Sequence, residues 1–170
     1  MLEKLDLSRT AGKAEYRKAK DALDQRLAAL QRKIKDLKIP IIIVFEGWGA
    51  AGKGTLINEL ILPLDPRGFT VYSTLPPTEE EALHPFLWRF WPRTPARGRI
   101  AVFDRSWYRL VSTDRLDGPV KGRALQQAYE DIVSFERLLA DDGNVILKFF
   151  LHISKQEQKQ RFRKLESCAT

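Results

Sequence analysis

Ile41-Ile42-Ile43-Val44-Phe45-Glu46-Gly47-Trp48-Gly49-Ala50-Ala51-Gly52-Lys53-Gly54-Thr55 decides how the rest of the chain is read. The first five residues are apolar without alternation, as in a strand covered on both faces of a parallel sheet. Gly47-x-x-x-x-Gly52-Lys53 follows, and residues from Lys53 to Leu62 suit a helix that Pro63 ends. Strand, glycine-rich loop and helix in that order form the context in which such a loop binds phosphate. The glycines let the backbone wrap closely around anionic oxygens, successive amides turn inward, and the following helix adds its positive end. Gly47, Ala50, Ala51, Gly52, Lys53, Gly54 and Thr55 are therefore the candidate phosphate-binding residues, with Lys53 supplying a full charge. The residue after Lys53 is Gly54, where the common loop has a Ser or Thr as magnesium ligand; Thr55 comes one position later.

Downstream, strands and helices alternate. Phe69 to Ser73 reads as a second strand. Thr78-Glu79-Glu80-Glu81 offers a capping box to a helix running through Trp91. Ile100 to Phe103 is a third strand, ending at Asp104. A short helix is expected from Trp107 to Arg115, broken by Asp117-Gly118-Pro119. Ala124 to Leu139 is a long helix, Val145 to Leu151 a fourth strand, and Ser154-Lys155-Gln156-Glu157 a second capping box. This order predicts a three-layer α/β/α domain with a mostly parallel sheet, the P-loop kinase-like class. Upstream, Glu15 to Leu37 reads as one helix, with Tyr16, Leu23, Leu27, Leu30, Ile34 and Leu37 in a narrow apolar stripe. That helix either packs on the domain or, from its coiled-coil spacing, meets another subunit. The expected division is a helical extension over 1–38 and a P-loop domain over 39–170.

Asp104 falls at the carboxyl end of a buried strand, the edge at which open α/β sheets bind ligands. It could hold magnesium there, or its carboxylate could cap the next helix. Arg89, Arg93, Arg97 and Arg99 surround Trp88, Phe90 and Trp91. Guanidinium forks suit phosphate, so this cluster is a candidate path for a long anion; the alternative for some of these arginines is a solvent-facing position. His84 and His152 have no partner evident in sequence.

The 170 residues suit one domain. The formal charge of +7 attracts nucleic acid, anionic lipid or a phosphate-rich substrate; the loop points to the last, not to nucleic acid. No apolar run reaches membrane-spanning length, and a single cysteine, Cys168, leaves no internal disulfide pair. A cytoplasmic protein is expected.

The residues resemble the polyphosphate kinase 2 family. The likeness rests on Glu46 to Gly54, Pro66-Arg67-Gly68, Phe103-Asp104-Arg105-Ser106-Trp107-Tyr108, Phe135-Glu136-Arg137, Phe149 to Ser154, Gln158 and Arg161-Phe162. It is nearest to the N-terminal half of two-domain polyphosphate:AMP phosphotransferases. The resemblance implies magnesium-dependent phosphoryl transfer between inorganic polyphosphate and a nucleotide (AMP, ADP or GDP) by a homo-oligomer, dimeric or tetrameric. It implies that Lys53 holds the transferred phosphate and Asp104 the metal. It gives Arg105 the transition-state charge, and Arg115 a place on a helical lid that closes over the phosphates. Arg89, Arg93 and Arg97 would line the polyphosphate path. Three departures from the family pattern stand out: Gly49 replaces an aspartate, Leu110 replaces a lid arginine, and the family's domain continues past the equivalent of Thr170. These leave a non-catalytic phosphate-binding half as a second reading, and an ATP-dependent nucleoside-monophosphate kinase as a third.

Overall fold

The computed structural model describes residues 2–112 and 120–168. Helix α1 spans Lys13–Asp36, strand β1 Ile41–Gly47 and helix α2 Lys53–Ile61. Then come β2 at Phe69–Ser73, α3 at Glu79–Ala82 and β3 at Ile100–Asp104. Helix α4 at Arg123–Asp141, β4 at Val145–Leu151 and α5 at Lys155–Cys168 complete the chain. The four strands form one parallel sheet in the order β2-β3-β1-β4.

Strand alternation divides the core into two halves. Ile42, Val44, Ala101 and Phe103 point to one face and pack with Ala128, Ile132, Phe135 and Leu139 of α4, and with Phe90 and Trp107. Ile41, Ile43, Phe45, Ile100 and Val102 point to the other, against Ile57 of α2 and Leu64, with Leu27 and Ile34 of α1 beside them. The expected three layers are present. The double-sided burial of β1 is what its unalternating sequence requires.

The stripe of α1 is split between two surroundings. Leu27 and Ile34 enter the core, whereas Tyr16, Leu23, Leu30 and Leu37 are exposed. Gln31 fixes the docking: its side-chain amide donates to the Asp65 carbonyl at 3.0 Å, and its carbonyl accepts from Asp65 N at 2.7 Å. Gly68 lies directly under it, and a Cβ there would run into the Gln31 amide.

Two expectations about helices are corrected. The helix expected from Thr78 through Trp91 exists only as α3, followed by a 3-10 turn at Trp88–Arg93. Pro85 explains the break, since it lacks an N–H and its ring clashes with the preceding turn. The capping box itself is formed: Glu81 N donates to Thr78 Oγ1 at 3.1 Å, and Thr78 N to Glu81 Oε2 at 3.0 Å. The helix expected from Trp107 is a 3-10 turn over Trp107–Arg109. Residues 113–119, Arg115 among them, lie outside the described residues.

Among the described residues nothing pairs with the outer edge of β4, where Val145, Leu147, Phe149 and Phe150 are exposed. No helix of the described residues is long and apolar enough to cross a membrane.

Candidate functional site

The glycine loop leaves β1 at the carboxyl edge of the sheet. Gly47 has φ 137°, and a Cβ on it would strike the Leu151 carbonyl of the neighbouring strand. Ala50 at φ 57° and Gly52 at φ 97° are left-handed, the alternation that turns successive amides to one side. The first-turn amides of α2 have no intrahelical acceptor and point into the same space. Lys53 closes the loop on itself: its ammonium donates to the carbonyls of Gly47 and Trp48, both at 3.1 Å. Its side chain is only 8% exposed. Burial, and then the charge of Arg105, pull its pKa down, while Asp104 and Glu46 oppose that shift.

Asp104 arrives from β3. Phe45 is its register partner across β1, its carbonyl accepts from Thr74 N at 3.0 Å, and Arg105 N donates to the Phe45 carbonyl at 3.0 Å. Main chain on both sides thus fixes where the carboxylate emerges. The capping role is taken by Ser106, whose Oγ accepts from Tyr108 N at 3.3 Å. No side-chain hydrogen bond or ion pair engages the Asp104 carboxylate among the described residues. Arg105 has φ 61°, a left-handed conformation, and its carbonyl accepts from Thr74 Oγ1 at 2.8 Å.

These parts meet in one cleft of about 360 Å³, lined by residues 50–55, Ser73, Thr74, Leu75, Asp104 and Arg105. The structure therefore brings together Ala50, Ala51, Gly52, Lys53, Gly54, Thr55, Asp104 and Arg105. Gly47 stands at the entrance to a second, larger cleft of about 790 Å³ with Trp48, Gly49, Tyr108, Lys148 and Phe150, and Arg105 lines both.

Arg89, Arg93 and Arg97 do not form one track. Arg89 and Arg93 share the carboxylate of Glu81, each at 3.1 Å, and Arg89 is buried. Arg97 meets Asp142 at 3.2 Å in the turn before β4, at the sheet's amino edge and away from the loop. The histidines both have partners: His152 Nδ1 accepts from Trp48 Nε1 at 2.8 Å, and His84 stacks on Trp88.

One site residue was given no role from sequence. Glu46, the residue after Phe45, accepts from Ser106 N at 2.9 Å and Ser106 Oγ at 2.8 Å. Burial pushes its carboxyl up, against the bonds from Ser106 and the charges of Lys53 and Arg105. Its position at a buried strand's carboxyl end, like that of Asp104, was the available signal.

Among the described residues no cluster of three or more His, Cys, Asp or Glu side chains could enclose a metal. Magnesium needs no such enclosure: it keeps several waters and takes one or two carboxylates plus substrate phosphates. One uncommitted carboxylate facing a phosphate loop, with the hydroxyl-bearing Ser73, Thr74 and Thr55 around it, fits that donor set.

The family model described as "Polyphosphate kinase 2 (PPK2)" matches residues 10–167. The chain belongs to the polyphosphate kinase 2 family. A polyphosphate:AMP phosphotransferase of Pseudomonas aeruginosa is 40% identical over 166 residues, covering 98% of this chain and 34% of that protein. An AMP/ADP-polyphosphate phosphotransferase of Meiothermus ruber is 37% identical over 152 residues, covering 85% of this chain and 57% of that one. Among solved structures, a polyphosphate kinase 2 from Arthrobacter aurescens TC1 superposes with a TM-score of 0.90 at 34% identity, over 98% of this chain and 62% of that one. The chain thus spans 34% to 62% of the length of these relatives.

Proposed function

We propose that this chain is the phosphate-handling domain of a cytoplasmic polyphosphate:nucleotide phosphotransferase, moving a phosphoryl group between inorganic polyphosphate and AMP, ADP or GDP. The observation that carries this reading is the single cleft shared by the loop amides, Lys53, Asp104 and Arg105. The names of the relatives, which act on polyphosphate with AMP or ADP, support the substrate class.

Transfer breaks the bridging P–O bond at the end of the polyphosphate chain and forms a P–O bond to the acceptor's terminal phosphate oxygen. The chain leaves one unit shorter, with the bridging oxygen's charge on its new end. Such a reaction depends on positioning and charge neutralisation more than on covalent help. The loop amides hold the non-bridging oxygens without needing to reorganise. Lys53, already turned across the loop onto the carbonyls of Gly47 and Trp48, exchanges those acceptors for phosphate oxygens. Anions beside it restore the preference for its charged form, against the burial that lowers its pKa. Arg105, which lines both clefts, sits where charge passes from donor to acceptor. Asp104 would hold magnesium, which when bound neutralises the phosphates' charge and aligns their oxygens. Arg115, which lies outside the described residues, would contact the phosphates as the family resemblance implies. Arg89 and Arg93 would meet polyphosphate only by exchanging the Glu81 carboxylate for phosphate oxygens.

The exposed half of the α1 stripe is the proposed subunit contact in a homo-oligomer.

The test is turnover of AMP or ADP with polyphosphate and magnesium, set beside ATP plus AMP without polyphosphate. Nucleotide phosphorylation that needs polyphosphate, and falls at least about a hundredfold in Lys53→Ala, is expected. Polyphosphate binding without turnover would leave only a binding domain, and ATP-driven activity alone would make the chain an ordinary nucleotide kinase.

A further inference from the structure

A phosphate loop must place its amides inward, so its carbonyls must go elsewhere. In a half-buried loop each unsatisfied carbonyl costs free energy. Here one helix takes them. Gln158 Nε2 donates to the Gly49 carbonyl at 3.0 Å. Arg161 Nη1 donates to the carbonyls of Ala50 at 3.3 Å and Ala51 at 3.2 Å. Three consecutive carbonyls are thus held from outside by side chains one helical turn apart on α5, more than a hundred residues away in sequence.

The fork is itself held. Arg161 Nε donates to Glu157 Oε1 at 2.6 Å, and Glu157 stands in the first turn of α5, where its amide donates to Ser154 Oγ at 3.1 Å. The Phe162 ring lies over Gly49, closing the loop's outer side. Ala50 is the loop residue that most needs this support. It is left-handed without being glycine, a conformation that is costly for an L-residue and persists only when its surroundings enforce it.

We infer that Gln158 and Arg161 are positioning residues for phosphate binding: by capturing the carbonyls of Gly49, Ala50 and Ala51 they lock the loop's amides toward the anion. They touch the loop and not the ligand, so neither is a catalytic residue. The inference rests on the proposed phosphate role of the loop, and it adds that α5 acts beside the loop's own glycines and Lys53 in holding the binding shape.

The experiment compares the wild-type chain with Gln158→Ala/Arg161→Ala, Arg161→Lys and Arg163→Ala. Arg163 is exposed on the same helix and controls for lost charge. The first reading is backbone ¹⁵N relaxation of residues 47–54 without ligand, and the second is calorimetric affinity for inorganic tripolyphosphate. Loop order parameters are expected to fall in the double variant from about 0.85 toward about 0.6, with the sheet unchanged. Tripolyphosphate should bind about tenfold more weakly, as loss of two or three modest hydrogen bonds implies. Arg161→Lys, which keeps one donor and the charge, should recover part of both effects, and Arg163→Ala should change neither. A double variant whose loop stays rigid and whose affinity is unchanged overturns the inference, as does loosening that spreads over the whole sheet. Failure of the wild-type chain to bind tripolyphosphate would instead defeat the functional proposal, leaving the relaxation data to judge the brace by itself.

Discussion

Restoring a carboxylate at Gly49 tests both the fold of the loop and its proposed chemistry. Gly49 is not among the glycines with positive φ, so an aspartate can adopt its backbone conformation. The obstacle is one side chain: a Cβ at Gly49 would lie 2.9 Å from Cζ of Phe162, the far end of a ring that is 44% exposed. Moving that ring off its rotamer costs about 0.5–1.5 kcal/mol. Replacing glycine where φ is ordinary returns about 0.4–1 kcal/mol by restricting the unfolded chain. Gly49→Asp should therefore fold with stability within about 1 kcal/mol of wild type. The new charge then acts on phosphate. Two unit charges about 8 Å apart at an effective dielectric near 20 interact by about 2 kcal/mol, roughly thirtyfold in binding. Without metal, Gly49→Asp should bind tripolyphosphate weaker by about that factor. With magnesium the sign should reverse, because the family resemblance gives the aspartate at this position a part in placing the metal, and half-saturation should then shift to lower magnesium. The assays are urea unfolding, and tripolyphosphate calorimetry in EDTA and in magnesium. Gly49→Asp/Phe162→Ala should show the same reversal without the steric cost. An effect of one sign in both buffers, in a variant that folds normally, would refute a part for this position in placing the metal.

Asp104→Asn should leave the unfolding midpoint nearly unchanged, since no side-chain hydrogen bond or ion pair engages the carboxylate among the described residues, while raising the magnesium needed for half-maximal turnover about tenfold or more. Glu46→Gln should be more stable than wild type at neutral pH. Burial raises the folded pKa of Glu46 above its ordinary 4.5, so the wild type is favoured while this group is protonated and loses that stability as pH rises through the raised value; urea midpoints of the two should converge below about pH 4. Glu136→Ala strips the acceptor from Trp107 Nε1, Tyr108 OH and Lys148 Nζ, now at 3.1, 2.7 and 2.7 Å. With two part-buried donors left unsatisfied and the exposed lysine discounted, the cost should be about 2–3 kcal/mol, a fall in Tm of about 5–10 °C.

What could be read from sequence was what is local. The apolar run of β1, the glycines after it and Asp104 at the end of β3 are each defined within a few neighbours, and parallel pairing then brings Lys53 and Asp104 to the same edge without further information. The capping box at Thr78 and the cap that Ser154 gives Glu157 N were legible for the same reason. The aromatic segment was misread because its helical spacing outweighed the single Pro85 in its middle. The arginine cluster looked continuous along the chain, but its members separate in space: Glu81 gathers Arg89 and Arg93, while Arg97 is carried to the opposite edge as the chain turns back into β3. Glu46 and the contacts of Gln158 and Arg161 depend on partners 60 to 111 residues distant, which no periodicity encodes.

Arg105 is an arginine in a backbone conformation that suits glycine. Left to thermodynamic optimisation alone, this position would drift to the smaller residue, and the protein would become sturdier and, on the proposed role of Arg105, inert. Directed evolution for stability without an activity screen would therefore tend to erase the guanidinium, and on the proposed role of Arg105 thermal robustness would be a poor guide to competence in this domain.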